Sequence, residues 1–258
     1  MTRLHATFIT SVSEPLRSWL ASSIIGRAHK NNILSSEIIS ILESVSGNHH
    51  KIDDTPYGGG PGELMRIDII APLIKQALSH KHIAREKKRV ILMDPAGTVF
   101  SQQHAVRLAS YQELIFISGR YEGLDARVNY YIDESLSLGD FILSSGDLAA
   151  MAIFDATARM LDGVLGNSQS ISSESHMNNR LECSQYTRPL EFEGHRVPQV
   201  LTGGNHKDIE EERRRESIIR TVQLRHDFIK KAPLSEQETK LLMAASDDNY
   251  YYPWQSLL

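Results

Sequence analysis

Apolar and polar positions along this chain switch between two periods. Leu4 to Thr10 alternates as a half-buried strand does, and Pro15 to Ala28 carries Leu16, Leu20, Ile24 and Ile25 at helical spacing. A β-branched run from Glu37 to Leu42 predicts a second strand, and Ile67, Ile70, Leu73, Ile74 and Leu78 predict an amphipathic helix. Arg89 to Met93 and Leu114 to Ser118 read as buried strands flanking a helical stretch from Ser101 to Ser110, and Asp147 to Met160 reads as a further helix. Strands alternating with helices predict a parallel sheet covered on both faces. Beyond Pro198 the pattern turns helical, with Ile209, Ile218, Ile219 and Val222 on one side of a charged helix and a short helix near Glu236 to Ala245.

Three turn-rich loops interrupt the α/β part: Gly58-Gly59-Gly60-Pro61-Gly62, Gly119-Arg120-Tyr121-Glu122-Gly123 after a strand, and Ser137-Leu138-Gly139-Asp140 before Phe141 to Leu143. Ligands of open α/β sheets collect at the carboxyl ends of strands, so such loops are where a binding site is expected. From Asn167 to Ser175 the chain has five serines in nine residues and one apolar side chain, too little to bury, which predicts a flexible linker. The expected organisation is an α/β domain over residues 1–165, a linker over 166–186 and a helical domain over 187–258.

Composition narrows this little. The 258 residues, 41% hydrophobic and 23% charged, exclude collagen-like and wholly disordered classes, and the want of sustained heptads excludes a coiled coil. A net charge of −4 argues against a protein that coats nucleic acid non-specifically, though not against RNA as a substrate, since local charge decides there. The single cysteine, Cys183, cannot form an internal disulfide, and with no apolar run long enough for a membrane span the expected location is the cytoplasm, away from membranes.

Candidate chemistry is sparse on spacing alone. Neither a P-loop nor GxGxxG is present, HExxH is absent, and no metal site is expected. The Gly58 to Gly62 run reads either as a tight turn or as backbone bared to a flat or anionic ligand, and Gly119 to Gly123 either as a strand terminator or as a ligand loop. Glu210-Glu211-Glu212 followed by Arg213-Arg214-Arg215 reads as solvated ion pairs on a helix, or as a basic face with Lys207, Arg220 and Arg225 that meets phosphates.

The order of longer motifs is more specific. Asp53-Asp54-Thr55-Pro56-Tyr57 running into the first glycine loop, Gly119 to Asp125, Ser137 to Ser144, Gly163-Val164-Leu165-Gly166, Tyr186-Thr187-Arg188-Pro189 and Gly204-Asn205-His206 stand in sequence. Together they resemble the bacterial tRNA (guanine-N1)-methyltransferases of the TrmD family in the SPOUT superfamily, from about Phe8 to Ala245. The resemblance implies an α/β parallel sheet ending in a trefoil knot, a helical domain that binds tRNA, and a homodimer whose active sites lie between subunits. It implies methylation of guanine N1 at tRNA position 37 from S-adenosylmethionine, with Mg²⁺ required. Cofactor contacts carry over to Pro95, Gly119, Tyr121, Glu122, Gly123, Leu138, Gly139, Asp140, Phe141, Ile142, Leu143 and Gly146. Substrate contacts carry over to Gly58, Gly59, Gly60, Arg188 and His206, and catalysis to Arg159 and Glu174.

The chain departs from the family pattern at several of these places. Glu174 stands where the family has an aspartate base, adding about 1.5 Å of reach. Ser145 replaces a glycine, Ala149 a proline and Asp94 a serine around the expected cofactor pocket. Two competing expectations are a non-catalytic tRNA-binding relative of the same fold and a dinucleotide-dependent α/β enzyme, the latter disfavoured by the absent GxGxxG.

Overall fold

The computed structural model describes residues 3–45, 51–79, 82–166, 175–245 and 252–257. It divides into two compact units, Met1–Ser168 and Gln169–Leu258.

The first unit runs β1 (Leu4–Thr10), α1 (Glu14–Leu20), α2 (Ser23–Lys30), β2 (Leu34–Ser40), β3 (Asp53–Asp54), β4 (Leu64–Met65), α3 (Ile67–Leu78), β5 (Lys88–Val99), α4 (Gln102–Leu108), β6 (Glu113–Ser118), β7 (Glu134–Ser137) and α5 (Asp147–Ala158). Five strands form one sheet in the order β2-β1-β6-β5-β7, every pair parallel. Successive residues face opposite ways, so Phe8 and Phe116 join a core with Phe154 of α5 on one face. Ile9 and Ile117 join a second core with Ile70 and Ile74 of α3 on the other. The parallel, doubly covered sheet is therefore as expected, and β3 and β4 form a separate antiparallel hairpin.

Three boundaries differ from the sequence reading. The helix expected over Pro15 to Ala28 is two helices, because Ser22 adopts extended backbone while its hydroxyl donates to Ser18 O at 2.6 Å. The corner closes on Gly26, where a Cβ would lie 2.2 Å from the Ala21 carbonyl oxygen. Strand β5 outlasts its expected end: it leaves the ladder after Met93 and rejoins β7 at Thr98. The second strand is Leu34–Ser40 rather than Glu37 to Leu42, in register with all of β1.

The second unit runs β8 (Glu191–Phe192), β9 (His195–Arg196), α6 (Gln199–Thr202), α7 (His206–Leu224), α8 (His226–Lys231) and α9 (Glu236–Ala245), then a 3₁₀ turn over Pro253–Leu257. Residues Glu193 and Gly194, both at positive φ, make the tight turn between β8 and β9. Ile219 of α7 packs with Tyr252, Trp254 and Leu242. Residues 175–186, expected within a linker, hydrogen-bond into this unit: Leu181 N–H donates to Thr221 Oγ1 at 2.8 Å, and Ser217 Oγ donates to Leu181 O.

Candidate active site

A cavity of about 400 Å³ opens at the carboxyl ends of β5, β6 and β7, within the size range of small-molecule sites. Its walls are the chain after Met93, the loop Gly119–Leu124, and the stretch from Ser137 to Gly146 that leads into α5. Each wall is shaped by local chemistry. Asp94 Oδ1 accepts from Ala96 N–H at 2.9 Å and turns the chain out of the sheet. Tyr121 and Gly123 take φ of +58° and +108°, closing a turn in which Gly123 N–H donates to Arg120 O at 3.0 Å. Ser137 Oγ accepts from Gly139 N–H at 3.1 Å, and Gly139, at φ +148°, carries the backbone past the Phe141 ring.

Two walls are tied together where side chains are missing. Gly146 N–H donates to Gly119 O at 2.9 Å, and a Cβ on Gly146 would lie 2.8 Å from Met93 Cβ and 3.1 Å from Ser118 Cα. Gly97, in the excursion of β5, faces the backbone of Ser135 and Leu136 at 2.6 Å in the same sense. Ser145 Oγ donates to Asp147 Oδ2 at 3.1 Å and accepts from Asp147 N–H at 3.3 Å at the start of α5.

Of the expected cofactor residues, Pro95, Gly119, Tyr121, Glu122, Gly123, Leu138, Phe141, Ile142, Leu143 and Gly146 line the cavity, whereas Gly139 and Asp140 do not. Asp140 is exposed, and Gly139 serves the turn beneath Phe141. Sequence reasoning missed Arg120, Leu124, Asn129 and Leu136, which also line it. Arg120 and Leu124 lay inside a motif already singled out, but nothing in the sequence marked Asn129 or Leu136. The residues present fit a compact, partly polar ligand: Arg120 Nε is buried without a hydrogen-bond partner among the described residues, and apolar side chains share the wall with bare backbone.

The first glycine loop hangs from the β3–β4 hairpin beside this cavity. Met65 N–H donates to Gly123 O at 2.9 Å, Asp125 N–H to Met65 O at 3.0 Å, and Glu122 N–H to Glu63 O at 3.2 Å. A Cβ on Gly62 would lie 2.3 Å from Glu122 Cγ, so the loop base and the cavity wall are in contact. Gly58, Gly59 and Gly60, at φ of +87°, +74° and +126°, meet nothing within 4 Å, and Tyr57 is fully exposed. At the hairpin base a hydrogen bond to Glu63, together with burial, pushes the Asp53 carboxyl above the usual range. Hydrogen bonds from Asp53 and Lys51 hold Glu63 below it.

Arg159 caps the carboxyl end of α5, its N–H donating to Asp155 O at 3.1 Å. It lies about 20 Å along the helix axis from Gly146 and does not line the cavity of its own chain. Burial pushes the Asp155 carboxyl above its ordinary range, against the pull of Arg159. Glu174 lies outside the described residues. Arg188 and His206 are exposed in the second unit, His206 in the first turn of α7 behind the Asn205 cap. On α7 Arg215 pairs with Glu212 at 2.7 Å and Arg220 donates to Glu182 O, and just past its end Arg225 pairs with Asp227. Arg213 and Arg214 are exposed.

Residues 4–231 match the profile of tRNA (Guanine-1)-methyltransferase TrmD. The chain is 40% identical over 239 residues to a tRNA (guanine-N(1)-)-methyltransferase of Thermus thermophilus, covering 93% of this chain and 97% of the relative. Proteins of the same name from Clostridium perfringens and Limosilactobacillus fermentum are 43% and 42% identical, covering 85% and 86% of this chain and 91% and 88% of the relatives. With a match across nearly the whole length and these motifs gathered at the carboxyl ends of a parallel sheet, the chain belongs to the tRNA (guanine-1)-methyltransferase TrmD family.

Proposed function

We propose that this protein transfers the methyl group of S-adenosylmethionine to N1 of the guanine at tRNA position 37. The observation that carries the proposal is the cavity at the ends of β5, β6 and β7, walled by the family's own motifs in a chain that matches the family from residue 4 to 231. When bound, the cofactor supplies a methyl group on a positively charged sulfonium. Guanine N1 is a poor nucleophile until it loses its proton, so the site needs a base at N1 and positive charge near O6. Glu174 is assigned to take the N1 proton and the Arg159 guanidinium to offset charge developing on O6. The backbone of Gly119 to Gly123, of Leu138 and of Phe141 to Leu143 holds the cofactor, while the open glycines 58–60 offer bare backbone to the RNA.

Arg159 lies far along α5 from its own chain's cavity, which supports a homodimer in which each cavity is completed by the partner. The close backbone approaches at Gly97 and Gly146 support a trefoil knot in the segment β5 to α5. Mg²⁺ is proposed as a requirement of the reaction. Among the described residues no group of three or more metal-ligating side chains comes together. Among the described residues no helix is long and apolar enough to cross a membrane, and a tRNA substrate supports a cytoplasmic location.

The test is mass spectrometry of a transcript carrying guanosine at position 37 after incubation with protein, S-adenosylmethionine and Mg²⁺. One methyl group on guanine N1 is expected, and none when adenosine replaces that guanosine. Retention of tRNA without product or cofactor binding would establish a non-catalytic relative instead.

A further inference from the structure

The charged side chains that line the cavity differ from those around it. Elsewhere in the first unit Arg66 pairs with Asp68, Arg89 and Arg107 with Glu134, and Arg127 with Asp125. The charged residues lining the cavity are Asp94, Arg120 and Glu122, and none of them makes an ion pair among the described residues. Arg120 is the one cation of the three, and its Nε is shut off from solvent with no acceptor among the described residues. A buried donor left in this way calls for a partner that the chain itself does not supply.

The backbone beneath this side chain is held on both sides. Arg120 N–H donates to the Sδ of Met65 at 3.3 Å, Met65 being wholly buried, and Arg120 O accepts from Gly123 N–H at 3.0 Å. One residue earlier, Gly119 O accepts from Gly146 N–H at 2.9 Å, and a Cβ on Gly119 would lie 2.6 Å from Leu124 Cδ1. A side chain carried by so fixed a backbone loses less freedom when a ligand pairs with it, and more of the energy of the pair appears as affinity.

S-Adenosylmethionine carries one anionic group, the α-carboxylate of its amino-acid head, and two cationic ones, the α-ammonium and the sulfonium. The cavity lining carries the inverse set, one guanidinium and two carboxylates. We propose that Arg120 is a cofactor-binding residue whose guanidinium pairs with that α-carboxylate and so directs the amino-acid head towards the loop Gly119–Leu124. The proposal rests on S-adenosylmethionine being the cofactor. Pairing of a guanidinium with a carboxylate is charge-assisted and directional, and a hydrogen bond of this kind contributes about tenfold to a hundredfold in affinity. An RNA phosphate is the competing anion, but it is met at an exposed surface, whereas Arg120 is half-buried in the wall of a cavity.

The test is titration calorimetry of the full-length chain with S-adenosylhomocysteine and with its decarboxylated analogue, which differ only in the carboxylate. Wild type should bind the analogue about tenfold to a hundredfold more weakly. Arg120→Gln should lose the same factor for S-adenosylhomocysteine yet bind the analogue within about twofold of wild type, a split that general loosening of the fold would not give. Arg120→Lys keeps the charge but not the planar fork, and should recover part of the lost affinity. The dissociation constant of the tRNA transcript should stay within about twofold in all three proteins. If wild type binds both ligands equally, or Arg120→Gln weakens both equally or neither, the carboxylate pairing is overturned. If Arg120→Gln weakens tRNA alone, the anion it meets is an RNA phosphate and the proposal is likewise overturned. If wild type binds neither S-adenosylhomocysteine nor S-adenosylmethionine, the cofactor reading itself fails and the role of Arg120 falls with it.

Discussion

Gly146 shows how much of the cavity is decided by single atoms. With Met93, Ser118 and Gly119 all within 3.2 Å of where its Cβ would be, none of them the far end of a flexible chain, Gly146→Ala forces two walls apart. Overpacking of this kind costs about 1–3 kcal/mol, so urea unfolding should show a loss of that size, and calorimetry should show weaker binding of S-adenosylhomocysteine. Glu174→Gln belongs to a different class of change. It is expected to leave cofactor binding nearly unchanged while lowering single-turnover methylation by about 10²–10⁴. Cys183 has no part in this chemistry: burial, reinforced by the charge of Glu216, pushes its thiol above the ordinary range. It should therefore react with iodoacetamide more slowly at pH 8 than a free cysteine, and Cys183→Ser should methylate at the wild-type rate.

Among the elements, the loop from Ser175 to Glu182 and helix α9 are joined by Arg180 and Glu238. Two bonds from Arg180, with help from the Ser235 backbone, hold the Glu238 carboxyl at about 2 against an ordinary 4.5. Because the folded value is the lower one, this stabilisation is complete above about pH 4.5 and is lost as pH falls through about 2. Its size is roughly 2–3 kcal/mol for a pair this little exposed. Trp254 reports on the same unit once Trp19 is replaced by Phe, and urea midpoints from its fluorescence should separate wild type from Glu238→Gln at pH 5. The gap should close towards pH 2.

Elements with a clean period were legible from sequence almost to the residue. β1, β6, α3 and α9 are examples, since burial on one face or both leaves its mark at every position. The corner between α1 and α2 was not, because it depends on a contact between Gly26 and one carbonyl oxygen that no periodicity records. The serine-rich stretch from Asn167 to Ser175, read as a flexible linker, lies outside the described residues except for Ser175, while Leu181 beyond it is held by hydrogen bonds with α7, far away in sequence. The cavity was legible where glycine motifs formed its walls. It was hidden at Asn129 and Leu136, which belong to it only because three strand ends converge.

At the scale of the whole molecule, the proposed dimer places Arg159 of one chain at the cavity of the other. Two chains disabled in different parts, Arg159→Ala and Gly123→Val, should each be inactive alone. After subunit exchange they should recover roughly a quarter of the wild-type rate, since half the dimers are mixed and each has one complete site. No recovery despite proven exchange would show that Arg159 and the cavity act within one chain.

The sheet that carries all of this has a consequence for how the chain is made. Its first strand pairs with β2, but its other neighbour is β6, and His5 meets Glu113 only after more than a hundred intervening residues have been added. At about 5–20 residues per second, β1 leaves the ribosome many seconds before that partner exists. Until then Phe8 and Ile9 lie on a two-stranded edge with an unfilled ladder, the kind of surface that recruits foreign strands. Ribosomes stalled short of Ser118 should thus display a chain that chaperones hold, and those stalled well past Ala158 one that they release.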